Sequence, residues 1–414
     1  PFELTTRKLS VEGFLVLALF IVVFSVGTIS LPLSKQAGVR ADGVAPDFHT
    51  ADRIFRALAI ITVLVLLIDY VQGSVATLSD SYESRTDRAG AIITGEASGS
   101  SLLFRIGFLT YPASFAVIVR EIVFRDRIDT INLGLYGILP IAMAALVMGG
   151  RGPILLAMAF VVASWSVRRM LHRAQGFHRN KLTGRQVGQI FIGAIAALSA
   201  MNYFVLVFVT RAEVSGGIDH MLFIAAQLWG VDFRGPGAEL LKSTIGEGNT
   251  YLVFVFIWYL IQGVVMTNTL FTDYVGSPTF GVYGVDLVTA LARRICPSWV
   301  SEHFLVLLNM NVYGFFPGAW GSLYVDFLWF GLVAAFLWGL ICAIVYRKTR
   351  TSYDHRWLLI GPLVTIGIFF SLINTPIGFS NGLVTHFWFV LMVLVSKPAT
   401  LMRRARVTVV RRAV

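Results

Sequence analysis

The stretch Asn311-Val-Tyr-Gly-Phe-Phe-Pro-Gly-Ala-Trp-Gly-Ser-Leu-Tyr-Val-Asp326-Phe-Leu-Trp-Phe-Gly331 leads straight into an apolar run that ends at Tyr346. It sets a carboxylate, two tyrosines and an asparagine at the mouth of a helix long enough to cross a bilayer. An aspartate at membrane depth costs about 2.5–3.5 kcal/mol even on lenient insertion scales, so such a group has a partner or a task. The stretch reads as a membrane helix with the edge of a site at its mouth.

The rest of the chain is of the same kind. With 56% hydrophobic and 14% charged residues and a mean hydropathy of +0.73, it departs from soluble domains, in which about 25% of residues are charged. An all-α, polytopic membrane protein is expected. The net charge of +11 comes from short basic clusters between apolar runs, which membrane topology explains better than nucleic-acid binding. Cys296 and Cys342 fall near opposite faces of this map, so both are expected to be free thiols.

A spanning helix needs about 20 apolar residues. The candidates are Gly13 to Leu33, Ile54 to Ser74, Leu102 to Val119, Ile131 to Met148, Gly152 to Val167, Val187 to Val209, Tyr251 to Leu270, Ala319 to Tyr346, Trp357 to Ile373 and Leu383 to Val395. Three basic clusters orient them: Arg168 to Arg185, Arg347 to Arg356, and Arg403 to Arg412, all expected on the cytoplasmic face with the C-terminus. The turn Gly149-Gly-Arg-Gly152 and the segment from Thr210 to Gly318 then fall largely on the outer face. The chain is expected to form one membrane domain, 1–414, with 210–318 capping the site. If Tyr251 to Leu270 crosses fully, something between Phe271 and Gly318 must cross back, and only Thr279 to Leu291 is partly apolar. A re-entrant or interfacial helix, or a broken pair, is the expected resolution. The chain opens on Pro1 with its first helix starting outside, which predicts a further segment upstream. The polar stretch Ser74 to Ser101 reads as a loop without chemistry.

Arginines on the outer face are unexpected under the positive-inside bias. Arg151 sits in a tight glycine turn between two helices, Arg211 follows a helix end, and Arg234 and the pair Arg293-Arg294 lie on the same side. Each has a bland reading as a snorkelling side chain. Together they suit an anionic headgroup or a diphosphate, which a guanidinium grips bidentately. His303 has the chemistry of a base, or is an ordinary interfacial histidine. Asp326 either pairs with an arginine or acts in catalysis. Aromatic residues such as Trp258, Tyr259, Tyr274, Tyr283, Trp299, Trp320, Tyr324 and Trp329 suit sugar stacking, but also an interfacial belt. The sequence has no Walker A, no His-Glu-x-x-His or Cys-x-x-Cys and no Gly-x-Ser-x-Gly, so neither ATP, a metal nor a serine-hydrolase elbow is indicated.

The order Gly149-Gly-Arg151-Gly-Pro, Arg211 at a helix end, Trp258-Tyr-Leu-Ile-Gln-Gly263, Ser277-Pro-Thr-Phe-Gly281, Asn311-x-Tyr313-x-Phe315 and Tyr324-x-Asp326-Phe327 resembles the Wzy-type oligosaccharide repeat-unit polymerases of bacterial O-antigen and capsule synthesis. It covers roughly 151–344, with two departures: Gly314 where the family has Thr after Asn-x-Tyr, and Leu328 where it has Gly after Asp-Phe. The resemblance implies a glycosyltransferase-C-like bundle of about 10–12 helices with a periplasmic cap, in the bacterial inner membrane. It implies metal-independent, inverting glycosyl transfer without a cofactor, between undecaprenyl-diphosphate-linked donor and acceptor glycans, beside a possible chain-length regulator. On that reading Arg151, Arg211 and Arg234 bind diphosphate, His303 or Asp326 serves the acceptor hydroxyl, and Tyr259, Asn311, Tyr313 and Tyr324 position sugar. An O-antigen ligase, with His220 or His303 as its histidine, is the nearest rival. A lipid-linked oligosaccharide transporter is the rival from another class, although no repeated halves are visible.

Overall fold

The computed structural model describes residues 9–31, 43–72, 101–175, 205–233, 235–312, 317–378 and 381–398, together with 3–4, 39, 80, 188, 199 and 202–203. Arg234, Tyr313, the cluster residues Arg179, Lys181 and Arg185, most of Ser74 to Ser101, most of the expected helix Val187 to Val209 and the basic tail from Arg403 lie outside them. The chain is mostly helical, with two short antiparallel pairings, Glu3–Leu4 with Val231–Asp232 and Pro46–Asp47 with Lys397–Pro398.

The helices are α1 (Val11–Ile29), α2 (His49–Gln72), α3 (Leu102–Thr110), α4 (Ala113–Phe124), α5 (Thr130–Val147, with a π-helical stretch Leu133–Ile138) and α6 (Gly152–Ala174). They continue with α7 (Ile218–Ile224), α8 (Pro236–Ile245), α9 (Glu247–Asp273), α10 (Asp286–Ile295), α11 (Pro297–Asn309), α12 (Gly318–Phe327), α13 (Gly331–Thr351), α14 (Trp357–Phe370) and α15 (Gly382–Val395). Among the described residues seven segments are long and apolar enough to cross a membrane, counting α3–α4 and α12–α13 as one each. This is a polytopic membrane protein. Its exposed side chains include many large aliphatics, such as Val11, Leu15, Val22, Leu64 and Val162, as a lipid-facing surface requires.

One expectation about these helices is corrected. The apolar run after Asn311 is broken, because Leu328 adopts φ 50 and ψ −131 and the chain makes a 3-10 turn, Leu328–Phe330, before α13. A left-handed leucine is strained, and it ends α12 where sequence alone shows an unbroken helix. The expected span Tyr251 to Leu270 falls in α9, whose length and composition suit a crossing. Along its course Tyr259 meets Arg151 in the turn before α6, Gly263 abuts the Leu372 carbonyl between α14 and α15, Thr267 donates to the Pro317 carbonyl before α12, and Asn268 bonds both ways with Ser10, the cap of α1. All four partners belong to one end of the bundle, while Phe271 stacks on Phe20 midway along α1. α10 and α11 are short helices that follow.

The opposite end gathers the basic groups. Gly361 of α14 packs between Thr349 of α13 and Val167 of α6, which brings two of the three basic clusters together as the sequence implied. Arg168 donates to the carbonyls of Ile122 and Asp126 at the end of α4, satisfying acceptors that a helix C-terminus leaves open. Arg356 binds Asp354 and the Ser396 carbonyl. At this end lies a feature the sequence reading missed: Arg120 and Glu121, 7% and 2% exposed, form a buried ionic cluster in which Arg120 pairs with both Glu121 and Asp52. The apolar pattern of Leu102 to Val119 stops one residue short of it, so the pair looks like a loop in sequence.

α1 and α13 pack closely where Gly27 meets Gly339. A Cβ on Gly339 would lie 2.1 Å from the Phe24 carbonyl oxygen, and one on Gly27 2.3 Å from that of Phe336. Backbone leaves no room to yield, so a methyl must push the helices apart. Gly339→Ala is expected to lose about 1–3 kcal/mol of stability, read as a lower thermal midpoint in detergent, while Ala at the lipid-exposed Val333 is expected to change little.

Candidate functional site

The glycine turn is built by the end of α5. Gly149 takes φ 53, Gly150 N–H donates to the Ala145 carbonyl at 3.0 Å and Gly149 N–H to that of Leu146 at 3.1 Å. These are the paired bonds of a Schellman motif, which needs a left-handed residue at its centre. Pro153 then starts α6 at a position where its missing N–H costs nothing. The turn leaves Arg151 as the first residue before α6 and leaves the Gly149 carbonyl open at the end of α5.

Two arginines meet there. Arg211 Nη2 donates to the Gly149 carbonyl at 2.7 Å, and Arg151 Nη2 donates to the Tyr259 hydroxyl at 3.0 Å. The Arg151 guanidinium lies 3.5 Å over the centre of the Phe208 ring, three residues before Arg211 on the same helical segment, 205–214. Tyr203, which the sequence reading passed over, donates to the Ala145 carbonyl beneath the turn at 3.1 Å. Both arginines are half-buried. Stacking and hydrogen bonding hold both guanidiniums at the turn, and guanidiniums suit a polyanionic ligand.

A second group forms where α9 ends. Asp326 is 1% exposed and accepts from the Thr279 hydroxyl and from the backbone N–H groups of Tyr283 and Gly284, each at 3.0 Å. Its backbone carbonyl takes the Phe280 N–H at 2.8 Å. These bonds fix a turn from Thr279 to Val282 in which Phe280 has φ 52 and Gly281 φ 91. A left-handed phenylalanine costs on the order of 1–3 kcal/mol and persists only where its surroundings impose it. Asp326 is thus the anchor of the 279–284 loop, and no arginine pairs with it among the described residues.

His303 is 9% exposed and held at both nitrogens: Nδ1 lies 2.7 Å from the Trp299 carbonyl and Nε2 2.7 Å from the Ser277 hydroxyl. The Tyr274 hydroxyl donates to the Ser277 carbonyl at 2.8 Å. Burial, with Asp326 nearby, pushes the Tyr274 phenol up to about 12, so it remains a donor at ordinary pH. Ser277 was legible only as part of a motif. Its partnership with His303 spans 26 residues and could not be read from spacing.

Two other expected residues take structural places. Tyr324 is 9% exposed, edge-on to Phe271 at 5.0 Å and to Trp329 at 5.7 Å, so its ring belongs to the packing of α12 on α9 rather than to an open sugar site. Asn311 has φ 53 and follows α11, where its N–H bonds the Leu308 carbonyl and Val312 N–H bonds that of Leu307, both at 2.9 Å. That is a second Schellman motif, and asparagine is the side chain that best tolerates its left-handed centre after glycine. Asn311→Gly is therefore expected to hold or raise the thermal midpoint and Asn311→Val to lower it, whatever either does to activity. Arg234 and Tyr313 lie outside the described residues.

The structure thus gathers Arg151, Arg211 and Tyr259 in one place and His303, Asp326 and Tyr324 in another. Tyr259 and Tyr274 are 15 residues apart on and just beyond one helix, about 22 Å at 1.5 Å per residue. The structure therefore places His303 and Asp326 apart from Arg211 along α9. No protein-family model matches this chain, and neither a curated protein nor a solved structure does. Among the described residues no group of three His, Cys, Asp or Glu could hold a metal ion.

Proposed function

We propose that this protein is a membrane glycosyltransferase that polymerises undecaprenyl-diphosphate-linked oligosaccharide units into O-antigen, capsule or exopolysaccharide on the periplasmic face of the bacterial inner membrane. The observation that carries the reading is the pair Arg151 and Arg211 at one glycine turn, at the bundle end away from the basic clusters. Two half-buried guanidiniums suit a diphosphate, and they would stabilise its charge as the glycosidic bond to it breaks. Tyr259, whose hydroxyl accepts from Arg151, keeps its own proton free to donate to a phosphate oxygen. The segment 210–318 is the cap in this reading, with α9 laid from the arginines towards the His303 group, a length that an extended oligosaccharide matches.

The acceptor hydroxyl needs a proton acceptor, for which His303 and Asp326 are the candidates, towards the other end of α9 from the arginines. Deleting the gene in its host and resolving the surface polysaccharide on a gel tests the reading. Loss of long chains, with single repeat units left on the lipid A core or lipid-linked units accumulating, supports a polymerase. Normal polymer stranded on its lipid carrier indicates the ligase. A transporter remains the second reading because one observation favours it: the buried Asp52–Arg120–Glu121 cluster is a set of charges inside the bundle, of the kind that marks transport pathways. Repeat units trapped on the cytoplasmic side would establish it.

A further inference from the structure

The Ser277–His303 pair has a geometry that diphosphate binding does not use. A carbonyl only accepts, so the Trp299 carbonyl at 2.7 Å holds the proton on His303 Nδ1 in the neutral ring. The lone pair on Nε2 then faces the Ser277 hydroxyl, also at 2.7 Å. The ring is fixed further by Trp299, whose centroid lies 4.4 Å away, and the Ser277 backbone is held by Tyr274. His303 is buried but Ser277 is exposed, so a reactant can reach the hydroxyl from outside while the base stays behind it. A hydroxyl, a base within hydrogen-bond reach and a third group that orients the base are the three parts of an activated nucleophile.

We infer that Ser277 is an acyl-accepting nucleophile activated by His303, acting on ester-linked acyl groups of a sugar or lipid. Ser277 Oγ attacks the acyl carbonyl carbon as its proton passes to Nε2. The ester C–O bond breaks and the released alcohol leaves with that proton, giving an acyl-serine. A second hydroxyl, from a sugar or from water, then attacks the same carbon, gives its proton to Nε2 and frees Ser277, to which the proton returns. The inference does not depend on glycosyl transfer, since the pair stands with Tyr274, about 22 Å along α9 from Tyr259.

The full-length protein in detergent is treated with a fluorophosphonate and its serine peptides are followed by mass spectrometry. Ser277 is expected to be modified at least tenfold faster than the exposed Ser298 of the same molecule, and the adduct to be absent in Ser277→Ala. His303→Gln is expected to slow modification of Ser277 by 100-fold or more, the range of a lost general base. Equal labelling of Ser277 and Ser298 in the unsubstituted protein overturns the inference without need of any variant. So does an unchanged rate in a His303→Gln protein that keeps its thermal midpoint. Loss of polymer in an Arg211 variant that still labels at Ser277 separates this activity from the proposed polymerase.

Discussion

Arg211→Lys is expected to abolish long-chain polymer, with turnover down by about 10²–10³-fold, the loss seen when one preorganised donor to a developing oxyanion is removed. The lysine keeps the positive charge and N–H donors but has no planar fork, so it cannot hold the Gly149 carbonyl and grip a phosphate in the fixed geometry of a guanidinium. In the structure the Arg211 guanidinium does the first of these at 2.7 Å. The measurement is polymer length in a deletion strain expressing the variant, with membrane levels of the protein checked alongside. Wild-type chains from that strain would remove Arg211 from the diphosphate site. A parallel loss in Arg151→Lys, where stacking on Phe208 also fails, would tie both residues to one ligand.

Asp326→Ala is expected to be the most destabilising single change among the candidate residues. It strands the Thr279 hydroxyl and two backbone N–H groups, each costing about 1–3 kcal/mol when buried without a partner. It also releases the strained Phe280 from the anchor that imposes it. A drop of about 3–5 kcal/mol follows, seen as a lower thermal midpoint and as protease cleavage between Ser277 and Asp286. Asp326→Asn separates anchoring from charge, because its amide oxygen still accepts while its NH2 faces an N–H donor. An intermediate loss of stability is expected, in proportion to the bonds kept. A fully stable Asp326→Ala protein that has lost activity would return Asp326 to a chemical role.

The membrane class and most of the helices were legible because hydrophobic content and run length are local properties. Val11–Ile29 and Gly152–Ala174 fall close to where the apolar runs place them. What was not legible is set by contacts far apart in sequence. The partners along α9, namely Arg151, Pro317 and Ser10, lie 108, 50 and 258 residues from the side chains they meet, so no local pattern shows them. Likewise Asp326 beside an apolar run looks like a charge in search of a cation, whereas three donors from 279–284 already satisfy it. The two arginines were found by sequence because a cation on the wrong side of a charge-sorted membrane protein is conspicuous without any contact. Arg120 and Glu121 were missed for the converse reason, being opposite charges at the edge of a run.

The course of α9 also sets an order of assembly. Its neighbours come from segments made before it, Ser10 and Arg151, and from segments made long after it, Pro317 and Leu372. During synthesis the arginine turn and the first helices can insert and pair while α9 still lacks half of its contacts. The two candidate groups therefore gain their fixed surroundings only when the loop between α14 and α15 arrives. A chain stopped after Thr351 would be a membrane protein with most of its helices and an unfinished ruler.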